Sequence, residues 1–306
     1  MKYFNYFILI FILNKSVCNT HCNTTWGNCI IINNEISYTN QEICDLVLNK
    51  TSKLNTAFGL SDKKNEFTLI IDNGESSKGH PHWEWSLGRT YRLPEKIIMK
   101  DPASAHISKR KFNIVLEHEL NHVMVNRIDN KRTIPRWFKE GFAMFYSNEI
   151  TLNHKLQVAQ KIHIEELFNI YDLDNFSGFD KSRFNLAYAQ SAIYVLSINQ
   201  LYGDHTLHSI LINMKNGKTF KQAFYETTGN SLTDFNLKIY KHIKTKYGWF
   251  KLIALPNQLF VFFPLLLVLG FIMRSVRNKK IEEKWKIEEE LEQMELLKIE
   301  ENEIKN

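Results

Sequence analysis

Cysteine is scarce in this chain. There are four among 306 residues, all near the start, at Cys18, Cys22, Cys29 and Cys44. No two have a Cys-x-x-Cys spacing, which argues against a structural zinc framework. Outside the cytoplasm they can form one or two disulfides, with a pairing that spacing does not fix. A strong charge of one sign is also missing. The formal net charge of +6 is spread out, with no arginine run interleaved with aromatics. That argues against nucleic acid as a partner. No internal repeat or low-complexity linker is visible, so the chain reads as one main domain with appendages.

Two apolar stretches are present. Lys2 to Leu13 is a basic start followed by a short apolar run, with Ser16 and Cys18 beyond it. This predicts a signal peptide over residues 1–18, cleaved after Cys18; cleavage after Ser16 would keep all four cysteines. The second stretch is Leu252 to Met273, uncharged from Leu259 onward. Counted with Leu252–Leu255 it reaches the ~20 residues needed to cross a bilayer. Trp249 and Phe250 suit an interface, and Arg274, Arg277, Lys279 and Lys280 mark a cytoplasmic side. The expectation is a single-pass membrane protein, with the lipid bilayer as a partner of one transmembrane helix (252–273). Its main domain lies outside the cytoplasm, and a charged tail (274–306) lies inside. In that tail Ile281, Trp285, Leu291, Met294 and Leu297 fall near helical spacing. It reads as a solvated helix, with a cytoplasmic partner as the alternative.

Residues 19–66 form a cysteine-containing segment with a first helix over Glu42–Phe58, stopped by Gly59. Glu66–Asp72 reads as a strand ended by Asn73-Gly74, and Lys96–Met99 as a second. Between them, Ser76–Arg92 reads as a loop holding His80, Pro81, His82, Trp83 and Trp85. Phe112–Val125 is predicted helical, and Pro135 suits the first turn of the next helix. Helices follow at Leu156–Phe168, Asn185–Leu201, Thr206–Met214, Thr219–Thr227 and Ser231–Tyr247. Ser231 with Asp234 suits a helix start, and Gly229 a helix stop. A small sheet early and helices late make an α+β fold over residues 67–249.

The chemistry concentrates in His118-Glu119-Leu120-Asn121-His122 and in Glu140, within Trp137-Phe138-Lys139-Glu140-Gly141-Phe142-Ala143. Residues four apart share one helix face, so His118 and His122 can present two imidazoles to one metal ion. Glu140 on a second helix would supply a third ligand and leave a fourth position open, the construction of a catalytic zinc centre with one Zn²⁺. One carboxylate against a divalent cation leaves net positive charge, which lowers the pKa of bound water. Glu119 is not placed to ligate beside its neighbours. It is placed to take a proton from water and deliver it to a leaving amine.

These residues resemble the gluzincin, peptidase MA-like metallopeptidases. The resemblance is strongest at Leu116–His122, Pro135–Ala143 and Ala187-Tyr188-Ala189-Gln190-Ser191-Ala192. It implies a zincin-like domain, a small sheet plus a mostly helical C-terminal part, that hydrolyses peptide bonds in a peptide or protein substrate. It also implies that Tyr188 donates a hydrogen bond to the oxyanion of the transition state. Three departures stand out. The His122-to-Glu140 gap is one residue shorter than in M1-type aminopeptidases, which predicts a trimmed loop near Asp129–Thr133. No Gly-Ala-Met-Glu-Asn-like segment precedes the zinc helix, so exopeptidase activity does not transfer. Met144 stands where thermolysin-like enzymes have an aspartate supporting the ligands.

The strand around Lys96–Met99 is the expected edge for an extended peptide. Glu117 reads as solvated or structural, and His80 and His82 as part of a packed loop. His154, His163, His205 and His208 read as surface residues. The leading function is a membrane-anchored zinc metallopeptidase working outside the cytoplasm. The alternative is a non-proteolytic binding or scaffold protein that keeps the fold.

Overall fold

The computed structural model describes residues 19–33, 35–60, 65–79, 84–163, 166–176, 178–250 and 256–304. The predicted signal peptide, along with His80 and His82, lies outside these residues. The chain divides into two units, meeting at Gly248 and Trp249.

The first unit carries a five-stranded mixed sheet in the order β1-β2-β3-β5-β4. Its strands are β1 (Thr20–Thr24), β2 (Gly27–Asn33), β3 (Glu66–Asp72), β4 (Gly88–Arg92) and β5 (Glu95–Lys100). β1 and β4 run antiparallel to their neighbours, while β2, β3 and β5 are mutually parallel. The central strands alternate as a sheet with a buried face must: Phe67, Leu69 and Ile71 of β3 point into the core. Two expectations are corrected. Residues 88–92 are a strand rather than loop. The strand around Lys96–Met99 is interior, flanked by β3 and β4, so β4 is the edge.

Helices α1 (Asn40–Phe58) and α2 (Lys109–Ile128) pack on the sheet. α1 starts with a reciprocal cap between Thr39 and Glu42 and stops at Gly59 in the left-handed conformation. The Cys22–Cys44 disulfide ties β1 to it, while Cys29 is a buried free thiol. Glu117, on the side of α2 that faces α1, pairs with Lys50 and Lys53 of α1 at 2.8 and 3.2 Å, a structural role.

α3 (Arg136–Tyr146) lies between α2 and α5 (Lys181–Tyr202). α4 (Leu152–His163), α6 (Thr206–Lys215), α7 (Phe220–Thr228) and α8 (Leu232–Tyr247) complete the unit. Trp137 anchors this layer, with its ring against Phe138, Tyr194, Phe220 and Phe235. Burying each phenylalanine of the cluster contributes roughly 1.5–3 kcal/mol. Gly141 sets the spacing of α3 and α5. A Cβ there would sit 2.2 Å from the Ser191 carbonyl oxygen.

Among the described residues of the second unit the long element is helix α9 (Pro256–Ile304). Here the transmembrane expectation is overturned. Among the described residues no helix is long and apolar enough to cross a membrane. The exposed apolar run from Phe262 to Met273 spans about 18 Å at helical rise, against ~30 Å of hydrocarbon core. The same helix then continues without a break through Arg274 and Arg277 into the Glu/Lys-rich tail. Leu252–Leu255, which the ~20-residue span needs for its length, lie outside the described residues.

Candidate metal centre

α2 supplies the first two candidate ligands. Ser108 caps its start by accepting from the Lys111 N–H. The helix is buried around much of its girth by Phe112, Leu116, Leu120, Val123 and Met124, which holds its remaining face toward the cleft. The connection from α2 to α3 is tied down by Asp129. Its carboxylate accepts from the N–H groups of Thr133 at 2.7 Å and Ile134 at 3.2 Å, and pairs with Lys139 at 3.1 Å. The short loop thus turns directly into α3 and delivers Glu140 to the histidines.

The three side chains converge. His118 Nε2 and His122 Nε2 are 3.1 Å apart, and Glu140 Oε2 lies 3.7 Å from the first and 3.3 Å from the second. Ligands held about 2.0–2.2 Å from a tetrahedral zinc are separated by roughly 3.3–3.6 Å. The three edges bracket that range. Glu140 Oε2 is also buried without a hydrogen-bond partner, a costly arrangement that a cation would relieve. Among the described residues this is the group of three donors that could hold a metal ion.

Charge is dense in this small volume. Burial opposes the Glu140 carboxylate, yet His122, His118 and Arg136 hold its pKa well below the ordinary 4.5. Burial likewise opposes protonated His118, but Glu140, Glu149 and Glu119 push its pKa up to about 10.

Glu119, about 100° around the helix from His118, points to the sheet. Thr90 Oγ1 of β4 donates to Glu119 Oε2 at 2.7 Å and lies 3.1 Å from the Glu119 carbonyl oxygen. Gly88 makes the approach possible, because a Cβ there would meet Glu119 Oε1 at 2.8 Å. Tyr188 enters from α5, with its ring against Phe184 at 4.6 Å and Phe176 at 5.7 Å. Burial and the nearby Glu140 charge push its phenol well above the ordinary 10, so it remains a proton donor.

All five singled-out residues line one cleft of about 800 Å³, together with Trp85, Gly88 and Thr90. Three participants escaped the sequence reading. Thr90 and Gly88 lie in a strand whose sequence lacks an alternating apolar pattern. Glu149 contacts His118, and only its position shortly after α3 hinted at it. His154 lines the cleft rather than the outer surface. By contrast, His208 bonds the Ala57 carbonyl, away from the site.

A buried His–His–carboxylate group beside a glutamate, in an α+β domain, defines a metallopeptidase-like site. The model of the Peptidase MA superfamily matches residues 78–245, more than half of the chain, and the chain belongs to that superfamily. Among curated proteins there is no match.

Proposed function

We propose that this protein is a zinc-dependent metallopeptidase of the gluzincin type. The observation that carries the reading is the convergence of two Nε2 atoms and one carboxylate oxygen at 3.1–3.7 Å. His118, His122 and Glu140 would hold one zinc ion, which supplies Lewis acidity to polarise a carbonyl and to make water acidic near neutrality. Glu119, oriented by Thr90, accepts the proton of the attacking water and passes it to the leaving amine. Tyr188 donates a hydrogen bond to the developing oxyanion from a fixed position, so little reorganisation is needed during reaction.

An extended peptide would lie along β4. That strand has β5 on one side and, among the described residues, no strand on the other. Peptide binding by strand addition supplies main-chain hydrogen bonds independent of substrate sequence. Trp85 and Phe184, in edge contact at 5.9 Å, form an aromatic wall at the cleft. The Cys22–Cys44 disulfide supports work in an oxidising compartment, outside the cytoplasm.

The test is cleavage of a peptide library by the purified protein, before and after removal of metal with a chelator. The expected result is cleavage that stops on chelation and returns with one equivalent of zinc. Cleavage indifferent to the chelator contradicts the proposal.

A further inference from the structure

Behind the metal-facing side of His118 stands a carboxylate that the motif does not contain. Glu149 Oε2 lies 3.0 Å from His118 Nδ1, a close polar contact outside hydrogen-bond alignment, with no other partner on that nitrogen. Its other oxygen, Oε1, lies 2.5 Å from Lys111 Nζ. Lys111 and His118 are seven residues apart on α2, two helical turns along one face. Glu149 bridges both.

Its delivery is specific. α3 ends at Tyr146, and Asn148 takes the left-handed conformation with φ 55°. That reverses the chain, so the Glu149 N–H bonds back to the Met144 carbonyl at 2.9 Å and the side chain faces α2. The carboxylate is largely buried, with 19% of its side chain exposed. When Nε2 gives up its proton to a cation held between Glu140 and His122, a buried acceptor beside Nδ1 favours the proton staying at Nδ1. Met144, one turn beyond Glu140 on α3, offers no such group.

We propose that Glu149, held by Lys111, is the positioning residue of the metal centre: it fixes the ring orientation and tautomer of His118 and thereby sets metal affinity. This rests on the zinc reading above. Partners of this kind change metal affinity about 10–100-fold when removed.

Zinc affinity of the full-length protein, measured by competition with a chromophoric chelator, tests it. Glu149→Gln keeps shape and one acceptor, and should weaken zinc binding about tenfold. Glu149→Ala should weaken it further, toward about 100-fold. Circular dichroism establishes that each variant is folded. Affinities within twofold of wild type for both variants overturn the inference and leave the zinc reading standing. Failure of the wild type itself to bind zinc removes the reading on which it rests. A measurement without any variant gives a second arm. In the zinc-loaded wild type, ¹⁵N spectra should show His118 protonated at Nδ1 with Nε2 bound to metal. A His118 bound through Nδ1 overturns the inference even if the variants fail to fold.

Discussion

The cleft has two unlike walls. The helical wall, from α2 and α3, is crowded with ionisable groups. His118, His122, Glu140, Glu149 and Lys111 meet there within a few ångströms, mostly buried. The strand wall, from β4, contributes a glycine, a threonine hydroxyl and a backbone edge. The two walls divide the labour. Buried charge is costly unless each group has a partner, so the helical wall suits one task, a fixed cation. The strand wall lacks that electrostatic cost and offers space and direction. It aims Glu119 and leaves room for a peptide backbone. Glu119 sits where the two meet.

The comparison breaks most visibly at that junction. Glu119→Gln should leave zinc content at one equivalent and lower kcat by about 10²–10⁴-fold, the usual contribution of a positioned acid–base group. Turnover within tenfold of wild type in stopped assays rules the assignment out. Tyr188→Phe removes one donor from the helical side; kcat should fall about 100-fold with KM little changed, as for other oxyanion donors. A change confined to KM would make Tyr188 a binding residue instead.

On the strand wall the effects are smaller. Thr90→Val deletes a hydrogen bond to a carboxylate, worth about 1.5 kcal/mol, and should cost roughly tenfold in kcat. Thr90→Ser should restore most of it, and equal losses for Val and Ser would deny the hydroxyl its role. Gly88→Ala should act similarly, because the new methyl would meet the Glu119 side chain at 2.8–3.1 Å and displace its carboxylate.

The subtlest contrast lies in the pH dependence of stability of the metal-free protein. Glu149 is held down at about 2 because the His118 and Lys111 contacts outweigh burial. A depressed carboxylate contributes stability above its unfolded pKa of ~4.3 and loses it as pH falls toward 2. His118 is raised to about 10, so its contribution is complete below ~6.5 and disappears as pH rises toward 10. Urea melts of the metal-free protein should therefore show a stability maximum between about pH 4.5 and 6.5. In Glu149→Gln the acid-side fall should shrink.

The two walls also differ in how far the sequence reveals them. The helical wall was readable because helical periodicity fixes which residues share a face. His118 and His122 obey the four-residue rule, and Glu140 falls on the next amphipathic helix. Helix ends are legible where the cap residue stands out, as at Ser231, whose hydroxyl accepts from the Asp234 N–H at 3.1 Å; the helices expected at Leu156–Phe168 and Asn185–Leu201 instead run Leu152–His163 and Lys181–Tyr202. The strand wall was hidden. Gly88-Arg89-Thr90-Tyr91-Arg92 has no apolar alternation, since an edge strand at a cleft buries little on either face. Its register comes from β5, which no local signal announces. Glu149 was invisible for another reason. It reaches His118 through a chain reversal at Asn148, and no sequence spacing encodes that contact. The C-terminal helix shows the opposite failure. A run of apolar letters in Leu252–Met273 suggested a membrane span, whereas the described helix joins a short apolar stretch to a long charged one.

The most direct measurement of the central claim is zinc stoichiometry by elemental analysis, on the wild-type protein and on His122→Ala and Glu140→Ala. One zinc per wild-type chain and near-zero zinc in both folded variants are expected. Full zinc retention in either variant, or none in the wild type after equilibration with zinc, would contradict that claim.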